Sequence, residues 1–477
     1  MGDENQTNFT DLNRWGLSLE AIADLGQRLQ QFWRFYGQRT RTRTRDTRQY
    51  GFSYVSGLLR LKSDRCMAGI AREAEISEQN MQHFMSHSPW SGRATIEQVQ
   101  DAIMTRPELE GGMLLLDESA DAKAGDQAAG AGRQHNGRLG KVDQSQVGVY
   151  LAYVQQQHWT LWDAELFIPE GWFAPSQAQR REKAEIPGER VFQTKIELGW
   201  DMIAQAQAQG LSCVAVAFDS LYGRSHGLRQ QCDQAQLEYY ADIPNNYPLY
   251  LTCPQVEFKL GKRGQPTQQF CVIGATARPA SELAQSPDLE WVSLTLRTTE
   301  RGWLVGEFAR QSVWSIDGQG RVRQETLLLK REPKRIRYTL TNAPVTGDFQ
   351  TQAFRKCQRY FVERSLQDAK SELGLDEFQA LKYRAWQHHL ALTIVASWFI
   401  AETRLDWQQQ HPRDTSLTDD YAIDVLPQLS MANVRELLRA SLPLRQLSPL
   451  QAASLVVQHL DQRTQSRRSR LRKRLKT

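Results

Sequence analysis

The chain passes from helical to strand periodicity near residue 110. Before that point apolar residues recur about every three to four positions, which predicts helices, and Met113–Asp117 reads as a buried strand. Two further strands, 147–154 and 159–168, are separated only by a short junction at His158. The sequence therefore predicts a helical N-terminal region followed by a sheet that contains a hairpin.

Helix and strand patterns alternate after the hairpin. The pattern predicts a helix from Thr194 to Gln209, a buried strand from Val214 to Asp219, a helix from Gly223 to Ala235 and a strand from Leu237 to Ile243. Three strands, helix, strand, helix, strand is the order of the ribonuclease-H-like fold. Strand patterns then continue to about residue 345, and helices return from about residue 350.

Basic residues are concentrated in two tracts. Arginine alternates with threonine from Arg39 to Arg45, and eight basic residues with no acidic one lie between Arg463 and Lys476. Such tracts attract phosphate backbones without reading sequence, although a solvated loop or tail has the same composition. The candidate DNA contacts in the two tracts are Arg41, Arg43, Arg468 and Arg472.

The stretch from Met67 to Met85 has a helix-turn-helix-like outline. Two short helices are predicted, with Ser77 capping the second. The exposed residues of the second helix include amide and imidazole groups that suit the recognition of bases, namely Glu78, Gln79, Asn80, Gln82 and His83. Any helical hairpin with a solvated face shows the same pattern.

Two predicted strands end in an aspartate, Asp117 and Asp219, and Glu363 lies in a later predicted helix. An apolar strand that ends in Asp places a carboxylate at the solvent-facing edge of a buried sheet. Two such strands and one carboxylate on a helix can meet at a point, which is the arrangement that holds paired divalent metals for phosphodiester chemistry. Each aspartate alone is equally typical of a turn.

Glu363 has polar and basic neighbours at helical spacing. Four and seven residues to either side of it lie Lys356, Arg359, Gln367 and Lys370. At about 3.6 residues per turn these positions share one helix face. A surface salt-bridge ladder would show the same stripe, but the strand-end aspartates favour a metal ligand among cations that bind phosphate.

Four stretches of the chain carry a family resemblance: Leu115–Ser119, Gly137–Val149, Ala217–Gly223 and Val362–Asp376. From about residue 55 into the C-terminal helices, the chain resembles bacterial DDE transposases of the insertion sequence 701 group. The specific features are the Gly-x-Leu-Gly-Lys-Val-Asp stretch and the seven-residue spacing from Glu to Lys. The chain departs from the related signature at Lys356, where a Tyr is usual, and at Tyr360, where a Trp is common.

The resemblance implies cleavage at transposon ends and transfer of the freed 3′-OH into target DNA. Asp117 would bridge two Mg²⁺ ions, Asp219 and Glu363 would each complete one site, and Mn²⁺ would be able to substitute. Two ends must be processed together, so the expected partners are double-stranded DNA and a second copy of the chain. The DNA contacts expected around the cut are Arg359, Lys370, Lys356, Gln367, Lys123 and Lys141.

The predicted fold class is α/β, with a ribonuclease-H-like catalytic core that carries a β-rich insertion, plus helical N-terminal DNA-binding and C-terminal domains. The expected divisions are a helical DNA-binding domain at 1–110, the first part of the core at 111–244, the β-rich insertion at 245–347, the catalytic helix and the helix after it at 348–410, and a helical C-terminal region with its basic tail at 411–477.

Composition and targeting signals are consistent with a cytoplasmic protein that joins the nucleoid when it binds DNA. The longest apolar run, 390–401, is well short of the roughly 20 residues that cross a bilayer, so we expect a buried helix there and no membrane partner. The first residues are acidic where a signal peptide would be basic, and the six cysteines lack zinc spacing.

Two other functions fit the same residues. One is a related DDE nuclease that cuts DNA without integrating it. The other is a domesticated, non-catalytic DNA-binding protein, although the presence of all three carboxylates argues against it.

Overall fold

The computed structural model describes residues 12–260, 266–299 and 302–474, and the described chain begins with helices. Those before the first strand are α1 (Leu19–Tyr36), α2 (Arg48–Arg60), α3 (Met67–Glu73), α4 (Glu78–Ser86) and α5 (Gly92–Met104). The side chain of Ser18 caps α1 by accepting a hydrogen bond from the backbone N–H of Ala21. The predicted pair of short helices is confirmed as α3 and α4, but the Ser77 side chain makes no capping hydrogen bond.

Most strands belong to one mixed sheet. In chain order the strands are β1 (Gly112–Ala122), β2 (Gly132–Asn136), β3 (Lys141–Gln155), β4 (His158–Phe167), β5 (Cys213–Phe218), β6 (Glu238–Ile243), β7 (Pro248–Leu249), β8 (Gln255–Leu260), β9 (Pro266–Ile273), β10 (Arg278–Pro279), β11 (Val292–Thr299), β12 (Gly302–Ile316), β13 (Val322–Glu332) and β14 (Arg335–Thr341). The ten-stranded sheet has the order β11-β12-β13-β14-β6-β5-β1-β3-β2, with β4 also paired to β3. The pairs β7–β10 and β8–β9 lie outside it.

Helices connect and cover these strands. The helices between β4 and β11 are α6 (Ala178–Lys183), α7 (Lys195–Ala208), α8 (Ser220–Gly223), α9 (His226–Gln234) and α10 (Ala280–Leu283). β5 pairs in parallel with both β1 and β6, whereas β3 and β4 form the antiparallel hairpin predicted at His158. A mixed α/β fold is thereby confirmed. The strand β2 was missed because its five residues, Gly132–Asn136, are largely polar.

The strands of segment 245–347 extend the central sheet. β14 pairs antiparallel with β6 through Tyr338↔Ile243 and the residues that follow, and β13, β12 and β11 add in turn. Apolar side chains around Leu249, Leu283 and Leu327 form a smaller core beside them. The segment therefore continues the hydrogen bonding of the core, and the five-part division of the chain stays a prediction.

The last part of the described chain is helical. Its helices are α11 (Phe349–Gln358), α12 (Tyr360–Ser371), α13 (Tyr383–Gln410), α14 (Leu417–Asp420), α15 (Met431–Ser441) and α16 (Pro449–Arg474). The single helix predicted around Glu363 is thus two helices that meet at Arg359. The break has a tertiary cause, since α11 packs against β11 and β5 whereas α12 packs against β1, β3 and β4.

Helix α13 joins the two ends of the chain in one core. Its 390–401 run is buried, as predicted, and Phe399 packs edge-on against Phe32 of α1. The Trp398 indole donates a hydrogen bond to the Tyr36 hydroxyl at 2.7 Å. The N-terminal helices therefore share their core with α13. Within the described residues, no helix is long and apolar enough to span a membrane.

Candidate active site

Asp117 and Asp219 lie on adjacent parallel strands where the sheet opens. β1 pairs with β5 as far as Leu116↔Phe218, and β5 ends there. The next residue of each strand is the aspartate. The prediction that Asp117 ends its own strand is wrong, because β1 continues to Ala122 along β3. The sheet opens beside Asp117 because the neighbouring strand, β5, ends at Phe218.

Asp219 also begins a helix. Its side chain accepts hydrogen bonds from the backbone N–H groups of Leu221 and Tyr222, at 2.9 and 3.4 Å, and so caps α8. Burial raises the pKa of its carboxyl group above the ordinary value, against the effect of those hydrogen bonds. The capping bonds fix the carboxylate at the strand end, next to Asp117.

The positive charge near the Asp117 carboxylate does not compensate for its burial and for the charge of Asp219. Burial, and after it the charge of Asp219, raises the pKa of Asp117 to about 7, although Arg359 opposes this change. Its Oδ1 accepts a hydrogen bond from the backbone N–H of Glu118 at 2.8 Å. A cation at this place would favour the ionised form of Asp117.

Arg359, at the junction of α11 and α12, connects carboxylates from three elements. Its Nη2 lies 2.8 Å from Oε1 of Glu363, its Nε 3.1 Å from Oδ2 of Asp242 and its Nη1 3.5 Å from Oδ2 of Asp117. The Arg359 side chain is 16% exposed, whereas that of Glu363 is 59% exposed. The guanidinium is therefore the buried centre of the cluster, and Glu363 reaches it from the solvent side.

Asp242 is a member of this cluster that the sequence patterns did not single out. Lys356 Nζ lies 3.2 Å from its Oδ1, and the hydroxyl of Thr339 donates to the same oxygen at 2.5 Å. Burial raises the pKa of Asp242, but the charges of Lys356 and Arg359 outweigh burial and lower it overall. Its position could have indicated a role, because Asp242 lies near the end of β6. β6 is the third of three parallel strands that each carry an aspartate at the same edge of the sheet.

The carboxylates of Asp117, Asp219 and Glu363 suit a divalent cation, but those of Asp117 and Glu363 contact the Arg359 guanidinium. Carboxylate oxygens are the ligands that Mg²⁺ and Mn²⁺ prefer, and the raised pKa of Asp117 marks a place that needs positive charge. Among the described residues, however, no three His, Cys, Asp or Glu side chains are arranged to hold a metal ion. A cation bound by Asp117, Asp219 and Glu363 would require the Arg359–Glu363 contact to open.

Three predicted DNA-contacting lysines are engaged within the protein. Lys356 is buried against Asp242 and Thr339, so it does not share the exposed face of Glu363, and the helix break at Arg359 is the reason. Lys370 Nζ lies 2.7 Å from Oδ1 of Asp121. Lys123 donates to the Phe378 carbonyl at 3.0 Å, and burial lowers its pKa.

The other predicted contacts, apart from the partly buried Arg359, are exposed. Lys141 lies on a solvent-facing stretch with its Nζ 3.0 Å from Oδ2 of Asp143. The other exposed side chains among the predicted contacts are those of Gln367, Arg41, Arg43, Arg468 and Arg472. Their contact with DNA stays a prediction.

Comparison with known proteins identifies the family of the chain. The family described as DDE superfamily endonuclease matches residues 34–303, more than half of the chain, and the match ends before Glu363. A probable transposase for insertion sequence element IS701 from Microchaete diplosiphon is 28% identical over 178 residues, which are 36% of this chain and 42% of the relative. The chain thus matches less than half of that relative's length. By the extent of the family match, the chain belongs to the DDE superfamily endonucleases.

Proposed function

We propose that this protein is a DNA transposase that cuts at the ends of an insertion sequence and joins the freed 3′-OH to target DNA. The observation that supports the proposal is that Asp117 lies beside Asp219 at the end of β5, while Arg359 contacts both Asp117 and Glu363. Membership of the DDE superfamily endonucleases and the similarity to a probable IS701 transposase also support it.

Asp117, Asp219 and Glu363 would hold the Mg²⁺ ions that the reaction requires. When bound, such ions lower the pKa of an attacking water and stabilise the leaving 3′ oxygen. The protein's own task is to position the scissile phosphate, so no covalent protein nucleophile is required. Glu363 is the most exposed of the three and is paired with Arg359, so it would have to leave that ion pair to act as a ligand.

Arg359 would have a role in each state of the site. In the arrangement described, its guanidinium neutralises the buried carboxylates of Asp117 and Asp242 and pairs with Glu363. The same guanidinium would also suit contact with a phosphate of the cleaved strand, because Arg forms bidentate phosphate contacts. Such a contact would require its ion pair with Glu363 to open.

The assembly follows from the reaction. Two transposon ends have to be cut and joined together, so two copies of the chain would act on paired ends in the nucleoid. The helical N-terminal region, the core and the basic C-terminal helix would then together hold the DNA.

Cleavage of a labelled duplex that carries the transposon end, in Mg²⁺, tests the proposal. We expect Asp117→Asn, Asp219→Asn and Glu363→Gln each to lower nicking roughly a hundredfold or more while duplex binding persists. Glu118→Gln is the matched control: it removes the adjacent carboxylate of β1, which pairs with Lys195 at 2.8 Å, and should leave nicking largely intact.

A second substrate separates transposition from cleavage alone. A duplex supplied with its 3′-OH already free should be joined to a plasmid by the wild-type protein. Nicking without joining would instead identify a nuclease, and binding without either reaction would identify a non-catalytic DNA-binding protein. Nicking by the Asp117→Asn variant at the wild-type rate would refute the metal-ligand assignment.

A further inference from the structure

Helix α1 has two contrasting faces. One is buried in the shared core and includes Leu25, Leu29 and Phe32. The opposite face exposes Gln27, Gln30, Gln31 and Arg34, and these four side chains make no hydrogen bond or ion pair with any described residue. The acidic residues of the helix, Glu20 and Asp24, are confined to its first two turns. The rest of the exposed face is therefore a row of unpaired amides that leads to an arginine.

The chain leaves α1 in a loop whose backbone is held at both ends. We call residues 39–46 the arginine loop. The Thr47 hydroxyl donates to the carbonyl of Thr40, which closes the loop at its base. The Trp33 indole donates to the carbonyl of Arg48 at 2.9 Å, and its ring packs so closely on Gly51 that an added Cβ there would lie 2.5 Å from it. The loop is therefore anchored to the core by buried groups.

The arginine loop displays charge that the protein does not neutralise. Arg39, Arg41, Arg43 and Arg45 are all exposed, and none of them forms an ion pair with a described residue. By contrast Arg48, just after the loop, pairs with Asp46 at 2.5 Å. Four guanidinium groups held close together repel one another, and phosphate groups are the partners that relieve this repulsion.

A groove lies beside the amide face of α1. It has a volume of about 360 Å³ and is lined by Gln27, Gln30, Gln31 and Arg34, together with Ser441 and Leu442 at the end of α15. Its polar lining leaves the amide groups of α1 open to an approaching ligand.

We propose that the exposed face of α1 and the arginine loop together form a surface that binds a DNA duplex and reads its bases. This inference rests on the proposed function for its partner. The loop would contact phosphates, while the amides and Arg34 would reach base edges, since Gln pairs with adenine and Arg with guanine. With 18 residues α1 is roughly 27 Å long, which is enough to follow a major groove.

The helix-turn-helix outline indicates a different helix, α4, as the one that reads bases. α4 has nine residues and begins at Glu78, and the acidic residues just before it, Glu73 and Glu75, are paired with Arg60 and Arg445. No tract of unpaired arginines adjoins α4 in sequence. The unpaired positive charge of the arginine loop therefore favours α1 for contact with a polyanion.

The full-length protein with two variant sets tests the surface. In the first, Arg39, Arg41 and Arg43 are changed to Gln, and binding to a fluorescent transposon-end duplex is titrated over a range of salt. Loss of three phosphate contacts should lower the slope of log affinity against log salt by about 2.7. The control changes Arg278, Arg331 and Arg335, three other exposed arginines, to Gln and should leave the slope unchanged.

The second set asks which helix reads bases. Gln27→Ala with Gln31→Ala should reduce the preference for the end duplex over a mixed-sequence duplex by roughly tenfold or more, without changing the salt slope. Gln79→Ala with Gln82→Ala on α4 should leave the preference intact. An unchanged slope in the arginine variant, or a loss of preference only in the α4 variant, would overturn the inference. Failure of the wild-type protein to bind any duplex would overturn both this inference and the proposed function.

Discussion

At the scale of single residues, Asp242 determines where the Arg359 guanidinium lies. It accepts from both Lys356 and Arg359 and is itself held by the Thr339 hydroxyl. Since Arg359 also contacts Asp117 and Glu363, a change at Asp242 is transmitted to the predicted metal ligands. Asp242 is therefore a positioning residue in the proposed site.

We expect Asp242→Asn to lower both stability and nicking. Breaking a buried pair and leaving Lys356 uncompensated should cost about 3–5 kcal/mol of unfolding free energy, measured by urea denaturation. Adding Lys356→Met removes the unpaired charge, so the double variant should recover stability. If Asp242 positions Arg359, nicking by the stable double variant stays roughly tenfold or more below the wild-type rate. Full recovery of nicking would make its role purely structural.

The residues of the site differ in how far sequence alone could predict them. The places of Asp117 and Asp219 beside each other were predictable because each follows an apolar run with strand periodicity, even though β1 itself continues past Asp117. Asp242 was not, because its importance depends on β6 lying next to β5 and on two cations that come from distant helices. Likewise, the burial of Lys356 follows from where α11 packs, which helical spacing does not reveal.

At the scale of elements, α8 and β6 make an unusually close approach behind the site. Gly223, the last residue of α8, has no side chain, and an added Cβ would lie 1.9 Å from the backbone oxygen of Asp242. The short helix that Asp219 caps is thus packed directly on the strand that carries Asp242. Only glycine fits there, which ties the two aspartates to one rigid unit.

Gly223→Ala should accordingly destabilise the protein by about 1–3 kcal/mol, as overpacking does, with a loss of nicking beyond the loss of folded protein. Thermal unfolding and nicking of the same samples measure both effects. Gly227→Ala, in the next helix, is the control, because the nearest atom to its added Cβ is the Ser225 hydroxyl at 3.8 Å. Equal behaviour of the two variants would contradict the packing argument.

Element boundaries show where local patterns fail. The β3–β4 hairpin and the buried 390–401 helix were predictable, since periodicity and a short junction specify them. The break between α11 and α12 was not, because the sequence from Phe354 to Leu373 has helical spacing throughout and only packing against different strands divides it. The extension of the core sheet by β14 is also a matter of tertiary pairing.

At the scale of the whole molecule, buried histidines join the N-terminal helices to α13. His389 is enclosed: its Nδ1 accepts from the Tyr54 hydroxyl at 2.9 Å, and its Nε2 donates to the Leu375 carbonyl at 3.2 Å. A neutral ring satisfies both bonds. Burial accordingly lowers the pKa of His389 to about 4.

The protein should lose stability as the pH falls from about 6.5 to 4. In that window the unfolded chain binds a proton at His389 that the folded chain does not, so the free energy of unfolding decreases with falling pH, by up to about 3 kcal/mol for this residue. His389→Gln retains a donor and an acceptor, and urea unfolding at several pH values should show a shallower decline. An equally steep decline in the variant would assign the acid sensitivity to other groups.

The partner of the N-terminal helices was the least predictable aspect of the molecule. Each helix shows its apolar face in the sequence, but the partner of that face does not appear there. The structure supplies it from α13, through contacts such as Phe32 with Phe399 and Trp90 stacked on His388 at 3.7 Å. Apolar periodicity indicates that a helix is buried, whereas the identity of its partner depends on the whole fold.

The shared core has a consequence for synthesis. Roughly 300 residues separate α4 from α13, so at about 5–20 residues per second a ribosome needs roughly 15–60 seconds after making the N-terminal helices to supply the helix that buries them. Any chain that ends before residue 383 leaves those helices without their apolar partner. We therefore expect N-terminal fragments that lack α13 to be more sensitive to proteases than the full chain.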